Sequence, residues 1–218
     1  HETDGLDADA GNAGGENAFT ITLSDTSVSA ADLATLDART SQTINLTDVT
    51  TLSGTFTELK AFIAAEDNFA NKSGISTISV SAENIDGAGG RGSVAELVTF
   101  HTDIRDNAGD GFNANAVINL TNVDLLSGGV SDLLSAISLT DITGISGTDM
   151  ALTATDASIS IANANSLSGA TNGVVTATIT ESTTAQILDA GDGLNTDGGA
   201  NAFTIDISNT SADAGDLA

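Results

Sequence analysis

The sequence predicts a repeat solenoid in which parallel β-strands and short helices stack in coils of about 30 residues. Three observations lead to this prediction: two segments that match closely, alternating apolar and polar residues in each unit, and a shortage of large aromatic side chains. The chain has 218 residues, with no Pro, Cys, Trp or Tyr and 7 Phe. A core with so few large aromatic side chains must be built from many similar layers of small aliphatic residues, which favours a repetitive fold.

The internal repetition is clearest where INLTDVTTLSG (44–54) matches INLTNVDLLSG (118–128) at eight of eleven positions. More diverged copies raise the number of strand-containing units to about seven. Their first strands are anchored at Ile21, Ile44, Ile78, Ile118, Leu152, Val175 and Ile205. Residues 185–218 repeat residues 1–34, so we expect one continuous segment over 1–218 that is cut from a longer chain.

Each unit begins with a strand signal and continues with a helix signal. Ile44 and Leu46 alternate with Asn45 and Thr47, which is the pattern of a strand with one buried face. A hydroxyl residue followed three positions later by an acid or amide then predicts a helix start. These pairs are Ser29 with Asp32, Thr55 with Glu58, Ser93 with Glu96, and Thr183 with Gln186.

One strand and one short helix cannot bury their apolar faces alone, so the units are expected to stack on one another. Strands that are joined through such a crossover run parallel. The alternative is a series of antiparallel β-sandwich modules, which usually show turn signals every 8 to 12 residues. The helix-start pairs and the absence of Pro and Trp favour the solenoid.

The charge balance excludes two classes of partner. Thirty acidic residues against five basic ones give a formal charge of -25, so phosphates of nucleic acids and anionic membrane surfaces would be repelled. No apolar run approaches the roughly 18 residues of a membrane span. An acidic surface stays hydrated at high ionic strength and collects divalent cations, which suits seawater or an extracellular matrix.

Acidic turns are the best candidates for a chemical function. Hard oxygen ligands around a Gly turn suit calcium, which accepts six to eight oxygens. The same residues are also typical of tight turns that bind nothing. The candidate calcium ligands are Asp4, Asp7, Asp9, Asp110, Asn113, Asp192, Asn195 and Asp197.

Two other motifs indicate chemistry only weakly. The stretch GAGGRGS (87–93) lacks the Lys-Ser/Thr of a P-loop and the spacing of a dinucleotide fingerprint, so a flexible insertion is the better interpretation. The stretch FHTDIRD (100–106) brings His101 near Asp103 and Asp106, but no Ser is marked as a nucleophile. We predict a solvated loop there and no enzymatic activity.

The segments SVSAADLATLDART (27–40), TINLTDVTTLSGT (43–55) and IANANSLSGATNGVVTATIT (161–180) resemble a known class of repeat. They are similar to the tandem repeats of giant extracellular surface proteins and adhesins of cyanobacteria and other aquatic bacteria, including hemolysin-type calcium-binding proteins. The resemblance implies an extracellular structural or adhesive role. Val94 stands where the calcium-binding nonapeptide of that group has Asp, so its metal site does not carry over.

These observations predict a non-enzymatic structural segment of a large extracellular repeat protein, such as a filament, sheath, surface layer or adhesin stalk. The alternative is a calcium-dependent adhesive or ligand-binding module, with Ca²⁺ as its one cofactor. The expected partners are further copies along a fibre or neighbouring repeats of the same chain, and surface glycans. Nucleic acid binding and membrane insertion of this segment are not expected.

Overall fold

The computed structural model describes residues 18–106, 112–189, 191–195 and 201–208. The chain divides into two compact units. The first contains the described parts of His1–Ser81 and Phe100–Asn119, and the second contains those of Ala82–Thr99 and Leu120–Ala218.

The first unit is built on two parallel sheets. β1, β3, β5 and β6 are hydrogen-bonded in that order, and β2 pairs with β4 in a separate two-stranded sheet. The strands are β1 Ser27–Ser29, β2 Ile44–Asn45, β3 Thr51–Gly54, β4 Phe69–Ala70, β5 Thr77–Val80 and β6 Val117–Asn119.

A column of aliphatic side chains runs across the larger sheet of this unit. Val28 is in register with Leu52, Leu52 with Ile78, and Ile78 with Ile118. Leu52, Ile78 and Ile118 are fully buried, whereas the residues on either side of each are only partly covered. The period-two pattern therefore places one apolar residue of each strand into the same interior row.

The second unit has a parallel sheet of four strands in the order β11, β10, β9, β7. Leu126, Leu152 and Val175 form its buried column, since they are partners in register and fully buried. The strands of this unit are β7 Leu125–Gly128, β8 Ile142–Thr143, β9 Ala151–Ala154, β10 Val175–Thr178 and β11 Ala202–Thr204.

Six α-helices are present in the described ranges. α3 begins in residues of the second unit and ends in residues of the first. The helices are α1 Ala30–Asp37, α2 Phe56–Ala64, α3 Val94–Asp106, α4 Val130–Ser138, α5 Ile161–Ser168 and α6 Thr184–Ile187.

All four predicted helix starts are confirmed, at α1, α2, α3 and α6. At α2 the Thr55 hydroxyl accepts a hydrogen bond from the Glu58 amide at 3.2 Å, and the Thr55 amide donates to the Glu58 carboxylate at 2.8 Å. Ser93 and Glu96 make the same reciprocal pair at α3. These bonds satisfy amides of the first turn that have no partner within the helix.

Helices α4 and α5 receive acidic caps from distant parts of the chain. The Val130 amide donates to Asp156 Oδ2 at 2.6 Å, and Gly129 at the N-cap position supplies no side-chain acceptor. The Ile161 amide donates to Glu181 Oε2 at 3.0 Å. A carboxylate at this end of a helix is favourable because the exposed amides and the helix dipole carry positive charge there.

The predicted solenoid is wrong: the protein is an α/β structure with separate parallel sheets and six helices in its described part. The strand direction agrees with the expectation, but the pairing does not. Ile44 of the closely matched repeat lies in the two-stranded sheet, whereas its counterpart Ile118 lies beside β5 in the larger sheet. Matched segments therefore do not occupy equivalent positions, as stacked coils would require. Parallel pairing also rules out the antiparallel sandwich modules.

The pairing was mispredicted because the repeated segment contains two strands rather than one. β2 ends at Asn45 and β3 begins at Thr51, and it is β3 that pairs with the strand containing Ile78. Alternation of apolar and polar residues reveals that a strand exists but not which neighbour it pairs with. In the part of the chain that the structure describes, no helix is both long enough and apolar enough to cross a membrane.

Candidate functional site

Three of the eight predicted calcium ligands lie in the described residues, namely Asn113, Asp192 and Asn195. The other five, Asp4, Asp7, Asp9, Asp110 and Asp197, lie outside them. In the described ranges no group of three or more His, Cys, Asp or Glu side chains is placed to hold a metal ion. Calcium binding stays a prediction.

The turn that contains Asp192 is organised by Asp189, which the sequence analysis did not single out. Asp189 Oδ1 accepts hydrogen bonds from the amides of Gly191 at 2.8 Å and Asp192 at 3.0 Å. The Asp192 amide, followed by that of Gly191, holds the pKa of the Asp189 carboxyl below its ordinary value. An acid two residues before a Gly is the available signal for such a turn.

Asn195 and Asn113 take part in two different kinds of hydrogen bond. The Asn195 amide donates to Asn165 Oδ1 at 2.8 Å, and Asn165 Nδ2 donates to the Gly193 carbonyl at 2.9 Å. Asn113 Oδ1 accepts from the Asn115 amide at 2.9 Å. The Asn113 contact is that of the turn interpretation, in which an Asn or Asp side chain bonds the backbone two residues on. The Asn195 contact is long-range.

The glycine-rich stretch, predicted as a flexible insertion, is closed by an ion pair between Arg91 and Asp86. Arg91 donates from Nε to Asp86 Oδ1 at 3.0 Å and from a terminal nitrogen to Oδ2 at 2.7 Å. Gly87, Gly89 and Gly90 have φ values of 70°, 61° and 84°, a region that glycine enters without strain. The Arg91 bond, followed by the Ala88 amide, lowers the pKa of Asp86.

Replacing Arg91 with Gln is expected to raise the pKa of Asp86 toward its ordinary value, because the two charge-assisted bonds are lost. The titration is followed by NMR of the carboxyl carbons. The pKa of Asp189, whose lowering comes from backbone amides, should not move in the same variant. An unchanged Asp86 titration would contradict the role assigned to Arg91.

The sign of the pH dependence follows from these lowered values. A carboxyl whose pKa is lower in the folded protein than in the unfolded chain stabilises the fold at pH above the unfolded value. For Asp86 and Asp189 that contribution is complete above about pH 4 and is lost as the pH falls through their folded values.

The predicted solvated loop at residues 100–106 is a helix instead. His101 lies in α3 and is buried, at 8% exposure. Its imidazole is therefore not in a solvated loop. Sequence reasoning also missed Lys72, which is 3% exposed. Its ammonium donates to the Glu66 carbonyl at 2.8 Å and lies 4.9 Å from the centre of the Phe112 ring. Both contacts compensate for its burial.

The segment that the chain repeats at an offset of 184 residues forms a parallel contact in each unit. We call residues 19–23, FTITL, the first copy and residues 203–207, FTIDI, the second copy. Ile21 and Ile205, the anchors predicted from the sequence, occupy the same place in the two copies. The comparison of these copies gives the best-defined candidate for an interaction site.

The first copy is bonded through its odd-numbered residues. The Asn45 amide donates to the Ile21 carbonyl at 2.9 Å, and the Leu23 amide donates to the Asn45 carbonyl at 3.0 Å. The Thr40 hydroxyl donates to the Phe19 carbonyl at 2.7 Å. All three bonds join the first copy to residues that follow it in the chain.

The second copy is bonded through even-numbered residues, to strand β10 and the residues after it. Thr178 is in register with Thr204, and the Ile179 amide donates to the Thr204 carbonyl at 2.9 Å. The Ser208 amide, next to this copy, donates to the Ser182 carbonyl at 2.8 Å. All these partners precede the second copy in the chain.

The two copies therefore form their backbone hydrogen bonds along opposite edges of the repeated segment. In an extended strand the amide and carbonyl of one residue point to the same edge, and those of the next residue point to the other. The backbone groups of Ile21 and Leu23 that bond Asn45 lie on one edge of the first copy. In the second copy the Thr204 carbonyl faces β10, so the corresponding groups of Ile205 and Ile207 face away from β10. β11 is correspondingly the outermost strand of its sheet among the described strands.

Asparagine side chains add a polar contact beside the first copy. Asn45 Oδ1 accepts hydrogen bonds from the Thr47 hydroxyl at 2.6 Å, from the Thr47 amide at 3.0 Å, and from Asn71 Nδ2 at 2.9 Å. Asn71 has a φ of 60°, the left-handed conformation that Asn tolerates better than most residues. The Asn45 side chain thereby fixes the connection between β2 and β3.

Comparison with known proteins returned no match: no family model, no curated protein and no solved structure is similar to this chain. The function is therefore inferred from the contacts described above.

Proposed function

We propose that this chain is a non-enzymatic structural segment of a large extracellular repeat protein that forms a filament, sheath, surface layer or adhesin stalk. The observation that carries the proposal is the repeated segment, which is bonded on one edge in its first copy and on the other edge in its second. A strand that recurs with complementary edges suits a chain or assembly in which such segments follow one another.

The use of polar side chains in the described residues also supports a structural role. Hydroxyl groups cap helices at Ser29, Thr55 and Ser160. Outside the helices, the Asp189 carboxylate accepts from a backbone amide and the Thr171 hydroxyl donates to a backbone carbonyl. A hydroxyl that is engaged in a cap gives up one of its acceptor positions to the fold. These groups serve the architecture of each unit.

The charge of the chain supports a location outside the cell. A formal charge of -25 keeps copies apart in dilute salt and well hydrated in saline surroundings, where the repulsion is screened. The resemblance to repeats of giant bacterial surface proteins points to the same location. Surface glycans and neighbouring repeats remain the proposed partners.

Immunogold labelling of unpermeabilised cells tests this proposal. Antibodies raised against the folded chain are applied to cells that produce the parent protein, and permeabilised cells serve as the control. We expect gold along an external layer or filament, at similar density in both preparations. Labelling that needs permeabilisation would contradict the proposed location and with it the structural role outside the cell.

A further inference from the structure

We infer that the open edge of the second copy binds a second molecule of this chain at its strand β2, in the place that the first copy fills in that molecule. Residues 203–207 would then lie between their own β10 and the Asn45 strand of the second molecule. The inference rests on the proposed structural role and deepens it by naming the partner segment and the contacts that hold it.

The edge that is offered has a defined set of backbone groups. The Ile205 carbonyl and the Ile207 amide face away from β10, since the even-numbered Thr204 faces it. In the described chain β11 pairs on one side alone. A strand edge with available amides and carbonyls is a template for pairing with another chain.

The receiving position is known because the first copy occupies it. Phe19, Ile21 and Leu23 supply three backbone groups there, at distances of 2.7, 2.9 and 3.0 Å from the Thr40 hydroxyl, the Asn45 amide and the Asn45 carbonyl. Phe203, Ile205 and Ile207 hold the same groups at the same spacing. Exchange of one copy for the other therefore conserves every one of these bonds.

The side chains of the two copies are compatible with exchange. Phe, Thr and Ile occupy the first three positions of both, and Leu23 is replaced by the isomeric Ile207. The only change of character is Thr22 to Asp206, and Thr22 is exposed in the first copy. A volume-conserving swap between Leu and Ile is among the best tolerated in a partly buried position.

The exposure of the apolar residues shows which neighbour each copy lacks. Phe19 is 41% exposed, whereas its counterpart Phe203, in register with Ala177 of β10, is half-buried. At the other end Ile207 is 38% exposed, whereas its counterpart Leu23, bonded to Asn45, is half-buried. The first copy therefore exposes its first residue, and the second copy exposes its last. A copy with a neighbouring strand on both edges would bury the apolar residues at both of its ends.

Disulfide trapping with the 218-residue chain tests the exchange. Natural cysteines are absent, so single-cysteine variants are unambiguous. Thr22 and Asn45 are bridge partners, and exchange places Asp206 where Thr22 lies. Neighbouring strands lie at about 4.8 Å, within the range that a disulfide spans. An Asp206→Cys variant is mixed with an Asn45→Cys variant that carries a mass tag, under oxidised glutathione.

We expect the tagged heterodimer to form at least tenfold faster than that of Asp206→Cys with Thr99→Cys, an exposed position on α3. If Thr22→Cys trapped Asp206→Cys and Asn45→Cys did not, the inference would be overturned. That result would show that the second copy pairs with the open edge of the first copy and does not replace it. Equal rates with all three variants would overturn it as well.

A peptide measurement covers the case in which Asn45→Cys fails to fold, since Asn45 also bonds Thr47 and Asn71. A fluorescent peptide of residues 201–208 is titrated with the unmodified chain and followed by anisotropy. N-methylation at Ile207 removes the amide that donates to Asn45 and should weaken binding at least tenfold. N-methylation at Asp206, whose amide faces the other edge, is the matched control and should have little effect.

Equal affinity of the two methylated peptides, or no binding of the unmodified peptide, would overturn the inference. Either result leaves the proposed structural role intact if the cells are labelled externally, because the parent chain can supply the neighbouring strand by continuity. Labelling confined to the cell interior, with successful trapping, would overturn the role and leave the exchange standing.

Discussion

Replacing Phe56 with Ala is expected to lower the free energy of unfolding by about 3–5 kcal/mol, the range for truncating a buried aromatic side chain. Phe56 is the first residue of α2 and is fully buried. Its ring meets that of Phe100 edge to face, with centroids 5.4 Å apart. The substitution leaves a cavity and removes this aromatic pair, which contributes beyond the buried area.

Urea denaturation followed by circular dichroism measures this effect. Phe19→Ala is the matched control, since it deletes the same atoms from a side chain that is 41% exposed. We expect a smaller cost of about 1–2 kcal/mol, because the transfer free energy scales with the area removed from water and Phe19 keeps a large exposed fraction. Similar losses in the two variants would show that Phe56 is not part of a rigid core.

Replacing Gly144 with Ala is expected to lower the free energy of unfolding by about 2–5 kcal/mol, from backbone strain and steric overlap together. Gly144 has a φ of 93°, which an L side chain rarely adopts. A Cβ atom at this position would lie 2.6 Å from the Thr121 amide nitrogen. The obstacle is backbone and cannot rotate away, so the loop after β8 has to move.

Gly147→Ala, three residues further along the same loop, separates the two causes. Gly147 also has a positive φ, of 69°, but a Cβ atom there meets nothing within 4 Å. Its cost should therefore be that of the left-handed conformation alone, about 1–2 kcal/mol. If thermal or urea denaturation gave equal losses for the two variants, the close approach to Thr121 would not contribute.

Helix starts were predictable because each depends on residues only three positions apart. Thr55 and Glu58 satisfy one another's backbone amides whatever the rest of the chain does. The start of α4 was not predictable, since its cap is Asp156, which lies 26 residues further along the chain. A contact at that separation leaves no mark in the local pattern.

The candidate calcium residues show the same division. That Asn113 lies in a turn follows from the local composition, and its bond to the Asn115 amide is of that local kind. That Asn195 is held by Asn165, 30 residues earlier, could not be inferred from the spacing. Asp189 was missed because the Asp-Gly pair at 192–193 predicts the turn, whereas the carboxylate that accepts the turn amides lies three residues before that pair.

Local pattern was sufficient to predict where four helices begin, that residues 203–207 repeat 19–23, and that strands contain Ile44, Ile78, Ile118, Leu152 and Val175. Those features depend on side-chain periodicity and on short-range hydrogen bonds. Strand partners came only from the tertiary structure: Ile44 pairs with Phe69 while Leu52 pairs with Ile78. The tertiary structure also decided which edge of each repeated copy forms backbone hydrogen bonds. Parallel pairing is made by backbone groups common to all residues, so the choice among apolar strands rests on packing that the linear pattern does not encode.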